Sequence, residues 1–505
     1  MAYIQAMANL KISAIDKLFT AGFIVVICVL NPKAQTTSYK FDFGSGPVKP
    51  GYTQILTTTL YSTTQGYGWD FKLLQPSCVD RGGADSLLSD LCFKNGVFYF
   101  SVVLPEGNYN VSVTLGDPSV ATTNTLKAES RRLFFHNLQT TAGQFATKTF
   151  TVNRRNTAIT GGGTVGITTR EAAGLNWDGN KLTFEFNGSR TSVVSMEVTP
   201  AVNPVQVFLA GNSTMCDWAT ETEAAWGQMF PSFFKQGAVI TSIAESGLTT
   251  SAFISQNRLS KINSLMKSGD YLFAEFAHND MKTLTIATYQ TNLRNFIHTA
   301  RLKNATPVLV SPTVRRQFDS SGQERANSFI GTGTAGAAGV GDFLAAFKQV
   351  AADSNVTLID LNGCSASIVR TLGLAGSLPL YWDSVTHFTD YGAYEMARCV
   401  VDGVRTKIPA LATYLTDDVT PFDPTHPDSD PLIPLSADTS VWHSAPAIVG
   451  INKGITGKTN LLWNAGEDQS FYLPNGSKRA SPSRNTVGSI KRLKTTTSSS
   501  SKSKK

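Results

Sequence analysis

The sequence predicts a two-part chain, an antiparallel β-sandwich followed by an α/β/α domain built on a parallel sheet. Three observations carry that prediction. Residues 37–200 alternate apolar and polar side chains with period two between Gly/Asn turns. From about residue 203, short apolar runs alternate with amphipathic helical patterns, the order expected of a sheet covered on both faces. The 505 residues are 41% hydrophobic and only 16% charged, which supplies material for sizeable cores and excludes a mainly disordered chain.

Taken in order, residues 1–34 read as a signal peptide. Lys11 and Lys17 precede an apolar stretch, Leu18 to Leu30, that is short for a membrane span, and Ala34 stands at a plausible cleavage position. With this segment removed, no run of membrane length remains, and the mature protein is expected in the periplasm or medium. In the sandwich, Tyr109, Val111, Val113 and Leu115 alternate with polar neighbours after the turn Pro105-Glu106-Gly107-Asn108. Leu182, Phe184 and Phe186 repeat the pattern, as do Val194, Met196 and Val198, so one face is expected to be wet. In 203–412, strands are expected at Val205–Leu209, Val239–Ile243, Tyr271–Phe276, Pro307–Val310 and Val356–Leu361. Between them, helical stripes run through Leu259, Ile262 and Met266; Tyr289, Leu293, Phe296 and Ala300; and Phe343, Leu344, Phe347 and Val350. Residues 413–475 form a Pro/Asp-rich extension, weakly β-like in its later part, and 476–505 a basic Ser/Thr-rich disordered tail.

The formal charge of +7 is local. Nine basic residues lie between Lys478 and Lys505 with no acidic ones, which leaves the rest of the chain at −2. A near-neutral body with a basic tail is not the footprint of a nucleic-acid enzyme. Without the leader, five cysteines remain, enough for two bridges and one free thiol, with Cys78 and Cys92 the expected local pair. The six histidines show no metal-ligand spacing, so neither metal nor cofactor is expected. Gly331-Thr332-Gly333-Thr334-Ala335-Gly336 fits a dinucleotide pattern without the preceding strand that pattern requires, and reads as a flexible loop.

In parallel sheets the chemistry sits beyond the carboxyl ends of the strands. Ser213, in Gly211-Asn212-Ser213-Thr214, follows the first strand directly. A lone serine there most often caps a helix. Asn279, in Ala277-His278-Asn279-Asp280, follows the third strand and can donate to a developing oxyanion, as can the backbone N–H groups of Ser213 and Gly247. Near the end of the region, His387 in Asp383-Ser384-Val385-Thr386-His387-Phe388 can deprotonate Ser213, with Asp383 holding the imidazole tautomer. Any one of these is weak; four at four strand ends, in the order Ser, Gly, Asn, His, are not.

This ordered set resembles the SGNH/GDSL hydrolase superfamily. Together with Trp226-Gly227-Gln228, Gly269-Asp270-Tyr271, Thr386-His387-Phe388 and Tyr391-Gly392-Ala393-Tyr394, it is similar to the rhamnogalacturonan acetylesterase family. Upstream, Phe41-Asp42-Phe43-Gly44, Gly66-Tyr67-Gly68 and Lys127-Ala128-Glu129-Ser130-Arg131-Arg132 resemble the β-sandwich preceding the esterase in bacterial members, so the likeness spans roughly 38 to 435. The resemblance implies Ser213 as nucleophile, Gly247 and Asn279 as oxyanion donors, and Asp383 and His387 as the rest of a triad. It implies removal of O-acetyl groups from an acetylated plant cell-wall polysaccharide, pectic rhamnogalacturonan. Beside it, Trp218 or Trp382 reads as a candidate platform for sugar stacking, with core packing the alternative role. Departures from the resemblance are these: Asn212 replaces the usual Asp, Ala277 the usual Gly, and Gly247 sits in Glu245-Ser246-Gly247 where Gly-Arg-Ser is usual. Asp383 lies four residues before His387 rather than three. These departures motivate a second reading, a catalytically impaired hydrolase that serves as a carbohydrate-binding module.

Overall fold

The computed structural model describes residues 38–71, 74–219, 222–322 and 342–437. The leader, the glycine-rich 331–336 run, the later part of the extension and the basic tail lie outside the described residues. All described residues fall within one compact unit spanning 1–447.

The N-terminal half holds two sheets. One has five strands in the order Phe145–Arg154, Gly107–Gly116, Ser195–Pro200, Tyr39–Phe43 and Thr53–Ile55, antiparallel except for the last pair, which is parallel. The other runs Tyr67–Asp70, Phe98–Val103, Lys181–Val193, Asp90–Lys94 and Ser77–Asp80; Thr122–Ala128 also pairs with Lys181–Val193 and carries Arg132–Thr140 on its far side. Side chains of both sheets meet in one core around Phe41, Phe43, Trp69, Phe98, Phe100, Val111, Val113, Phe184 and Val198. The expected alternation holds on the inner face, where Tyr109, Val111, Val113 and Leu115 are buried.

The expected wet face does not hold along Lys181–Val193. Thr183 and Glu185 are as buried as Phe184. Thr183 shares its hydroxyl with Ser101 at 2.8 Å, and at Glu185 the cause is the extension. Lys127 Nζ donates to the Pro434 carbonyl at 2.7 Å and pairs with Glu185 at 3.6 Å, and Asn187 Nδ2 donates to the Leu435 carbonyl at 2.7 Å. Residues 431–437 thus cover charged side chains that a period-two reading sends to solvent.

The second half is the expected parallel sheet, in the order Ala238–Ser242, Val205–Gly211, Tyr271–Glu275, Thr306–Val310, Thr357–Ile359, with every pair parallel. Alternate residues of the first strand enter opposite cores: Val207 and Leu209 pack with Trp226 and Val400, Phe208 and Ala210 with Phe253 and Phe296. Helices Arg258–Leu265, Ile286–Leu302 and Phe343–Asp353 bury the predicted stripes on one side, except Leu344, which is half-buried because Ala346 takes the inner position, and Asp390–Lys407 covers the other. From Val205–Gly211 the chain goes first to a neighbour on one side and then to Tyr271–Glu275 on the other. That reversal opens a crevice at the carboxyl ends of these two strands, where Ser213 and Asn279 emerge. Cys78–Cys92 is bridged as expected, Cys364 pairs with Cys399, and Cys216 is free and buried.

Candidate active site

Ser213 stands in a turn directly after its strand. Asn212 closes that turn, its carbonyl accepting the N–H groups of Met215 and Cys216 at 3.1 and 2.9 Å. Gly211 is required here, because a Cβ would lie 2.6 Å from Met215 Sδ and 2.9 Å from the Glu275 carbonyl. No helix begins at Ser213, so the serine is not a helix cap.

His387 Nε2 lies 3.1 Å from Ser213 Oγ, and its Nδ1 lies 2.8 Å from Asp383 Oδ2. The other carboxylate oxygen, Oδ1, accepts three backbone N–H groups, from Val385 at 2.9 Å, Thr386 at 2.6 Å and His387 at 3.0 Å. Partial burial raises the Asp383 carboxyl, but the imidazole bond and the backbone donors outweigh it and bring the pKa down to about 2. Asp383 is therefore an ionised acceptor at neutral pH, which places the His387 proton on Nδ1 and leaves Nε2 free to accept from Ser213. The fourth residue of spacing is absorbed by Ser384, whose φ of +68° turns the chain back so that Asp383 faces the ring. Arg316 fixes this loop, with its N–H on the Val385 carbonyl at 2.7 Å and its guanidinium on the Ser384 carbonyl at 3.0 Å.

The oxyanion candidates follow the two strands that flank the serine's strand. Gly247 is exposed with φ +79°, and a Cβ there would meet nothing within 4 Å. Half-buried Asn279 donates from Nδ2 to the carbonyl of Leu248, the residue after Gly247, at 3.2 Å. Its second amide hydrogen has no protein acceptor among the described residues. Asp280 anchors this turn by accepting both the N–H and the hydroxyl of Thr250 at 2.7 Å; burial raises its carboxyl to about 6. His278 is buried and bonded to the backbone through one ring nitrogen. It donates from Nε2 to the Thr313 carbonyl at 2.9 Å, and burial, with Arg315 nearby, holds its pKa well below the usual imidazole range. Ala277 sits at φ +154°, a conformation that glycine adopts without strain.

The two tryptophans separate. Trp382 is 48% exposed. Trp218 is 5% exposed, with Arg170 over its ring at 4.2 Å, so it has no face for a sugar. Its indole instead meets His387 edge-on at 5.6 Å and donates to the Ser213 carbonyl at 2.8 Å. Cys216 is a small core residue whose thiol burial raises well above its usual range.

No sequence motif points to Glu275, although a carboxylate inside an apolar strand is a visible signal. It accepts the Thr214 hydroxyl at 2.8 Å and the Trp226 indole N–H at 2.7 Å, and burial lifts its pKa to about 7. The Asn212 amide oxygen also meets the Thr214 hydroxyl, at 3.0 Å. Asn212 Nδ2 is buried with no hydrogen-bond partner among the described residues, and nothing in the structure explains the asparagine in place of the usual aspartate.

A serine, a histidine and an acid aligned at the carboxyl edge of a parallel sheet, with glycine and asparagine on adjoining strand ends, define the SGNH class of hydrolase fold. The chain belongs to the SGNH/GDSL hydrolase superfamily and, within it, to the rhamnogalacturonan acetylesterase family. It is 33% identical over 220 residues to the rhamnogalacturonan acetylesterase RhgT of Bacillus subtilis, a match that covers 40% of this chain and 90% of that protein. It is 26% identical over 385 residues to the uncharacterized esterase YxiM of the same organism, covering 74% of this chain and 92% of YxiM. The crystal structure of YxiM aligns over 74% of this chain and 99% of its own, at 24% identity and a TM-score of 0.38. Residues 39–163 match the family described as Beta-agarase/YXIM esterase-like, galactose-binding domain-like.

Proposed function

We propose that the chain is an exported carbohydrate esterase that removes O-acetyl groups from a plant cell-wall polysaccharide, with acetylated rhamnogalacturonan as substrate, through a Ser-His-Asp acyl-enzyme mechanism. The observation that carries this reading is the continuous chain from Ser213 Oγ through His387 to Asp383, at 3.1 and 2.8 Å. Ser213 Oγ attacks the acetyl carbonyl while His387 Nε2 takes its proton and Asp383 steadies the imidazolium. The tetrahedral oxyanion is met by the backbone N–H groups of Ser213 and Gly247 and the free amide hydrogen of Asn279. His387 then gives its proton to the departing sugar oxygen, which leaves as a hydroxyl, and water, deprotonated by the same imidazole, attacks the acyl-enzyme, releases acetate and restores Ser213. No step requires a metal or cofactor.

Two kinds of relative support the substrate class: those named rhamnogalacturonan acetylesterase, and a galactose-binding-like family match over the N-terminal strands. The two N-terminal sheets, sharing one core, are read as a sandwich flanking the cleft, and exposed Trp382 as the sugar platform. Two disulfides support export through the 1–34 leader. Against the impaired-hydrolase alternative stands the alignment of Ser213, His387 and Asp383, with the longer Asp383 spacing taken up at Ser384. Acetate release from acetylated rhamnogalacturonan, xylan and chitin, each beside Ser213→Ala, tests the proposal. Release from rhamnogalacturonan alone supports it; release from none by active, folded protein removes the substrate assignment.

A further inference from the structure

Between the N-terminal strands Phe145–Arg154 and Lys181–Val193 the chain leaves its own sheets and reaches the strand ends of the hydrolase half. It carries one short helix, Thr169–Ala172, whose cap Thr168 receives the Glu171 N–H and returns its own N–H to the Glu171 carboxylate at 2.8 Å. Glu171 holds the segment down through a bidentate pair with buried Arg258, at 2.9 and 2.6 Å. The neighbouring side chain, Arg170, pairs with Glu245, which also accepts the Thr168 hydroxyl at 2.9 Å. Glu245 lies two residues before Gly247, and its N–H bonds the Gly211 carbonyl at 3.2 Å, next to the serine turn.

The same Arg170 guanidinium lies 4.2 Å from the Trp218 ring centroid. Trp218 is otherwise held by its indole N–H on the Ser213 carbonyl, by its own carbonyl accepting Gln228 Nε2 at 2.8 Å, and by its edge-on contact with His387. Its ring thus touches both a cation supplied by the β-rich half and the imidazole that must stay aligned with Ser213.

We infer that Arg170 is a positioning residue for His387, acting through Trp218, so that the hydrolase site is completed by a segment of the N-terminal half. This rests on the esterase reading above for its kinetic consequence but not for its geometry. With Arg170 in place, the indole cannot turn outward, and His387 is confined to rotamers that reach Ser213. Without it, the indole loses its outer partner and the imidazole samples orientations away from the hydroxyl. Substrate binding is left largely alone, since Trp218 offers no face to a sugar.

The test compares wild type, Arg170→Lys, Arg170→Met and the double variant Arg170→Met/Glu245→Gln, the last leaving no unpaired buried carboxylate. Kinetics on 4-nitrophenyl acetate and the His387 ring-proton NMR resonances are read on each folded protein. The expected result for Arg170→Met and the double variant is a fall of about tenfold in kcat with KM within about twofold. Arg170→Lys, which keeps a cation on the ring, recovers most of that loss. The ring-current shift that Trp218 imposes on the His387 protons shrinks in the methionine variants and persists in the lysine one. Wild-type kcat and an unmoved His387 signal in the methionine variants overturn the inference. So does a loss confined to KM, or one matched by equal loss in the lysine variant. If the wild type turns over no ester, the proposed function fails, and the NMR comparison still decides the role of Arg170.

Discussion

Replacing Asp383 with asparagine separates the two jobs its carboxylate performs. Oδ1 accepts three backbone N–H groups and can go on doing so as an amide oxygen. Oδ2, 2.8 Å from His387 Nδ1, becomes an amide nitrogen, which donates. The imidazole must then carry its proton on Nε2, pointing at Ser213 instead of accepting from it. In serine proteases the equivalent change lowers kcat by about 10⁴, and a loss of about 10³–10⁴ is expected here although the fold differs. Stability should fall by only about 1 kcal/mol near neutral pH, because the depressed pKa of a partly exposed group is discounted for solvent. The sign follows from that depression: the contribution is present above about pH 4 and is lost as pH falls through about 2. Urea midpoints for the variant should therefore decline less than wild type between about pH 4 and 2. The assay is steady-state hydrolysis of 4-nitrophenyl acetate at one fixed pH for both proteins, with a denaturation curve on the same preparation. A loss of less than about tenfold in kcat would refute the reasoning and leave a Ser213–His387 dyad.

Three further outcomes follow from the geometry. Asn279→Ala should lower kcat by about 10²–10³ with KM nearly unchanged, since its free amide hydrogen meets charge only in the transition state; a pure KM effect would assign it to sugar binding. Ala277→Gly should raise stability by up to about 1 kcal/mol in a thermal melt, because relieving φ +154° at a fully buried alanine outweighs the added freedom of the unfolded chain. Asp390→Asn should be nearly silent in kcat but cost about 3 kcal/mol in urea, because Asp390 is no helix cap: Thr389 caps that helix, and Asp390 forms a buried pair with Arg131 at 2.9 Å.

Features fixed by neighbours along the chain are legible in the sequence. Ser213, Asn279 and His387 each follow a strand or precede a helix with local capping chemistry, so short blocks locate them. The Asp383 spacing is half legible: a bulge at Ser384 or Val385 is required, and only the folded chain assigns it to Ser384. What stays hidden is long-range. Arg170 and Glu245 are 75 residues apart, Arg131 and Asp390 259 apart, and nothing in either local pattern announces the partner. The same holds for the face of Lys181–Val193, whose Glu185 reads as solvent-facing until residues 431–437 are laid beside its partner Lys127. These pairings also argue against residues 37–200 folding alone, since that fragment would hold Arg131 without Asp390 and Glu171 without Arg258.

The most direct measurement is covalent trapping of the nucleophile. Incubation with a fluorophosphonate, followed by proteolysis and mass spectrometry, should place one adduct on the peptide containing Ser213. Labelling should be lost in Ser213→Ala and slowed at least about a hundredfold in His387→Ala, in parallel with acetate release. Continued acetate release by Ser213→Ala at the wild-type rate, or an adduct on a different serine whose removal abolishes activity, would contradict the assignment of Ser213 as nucleophile.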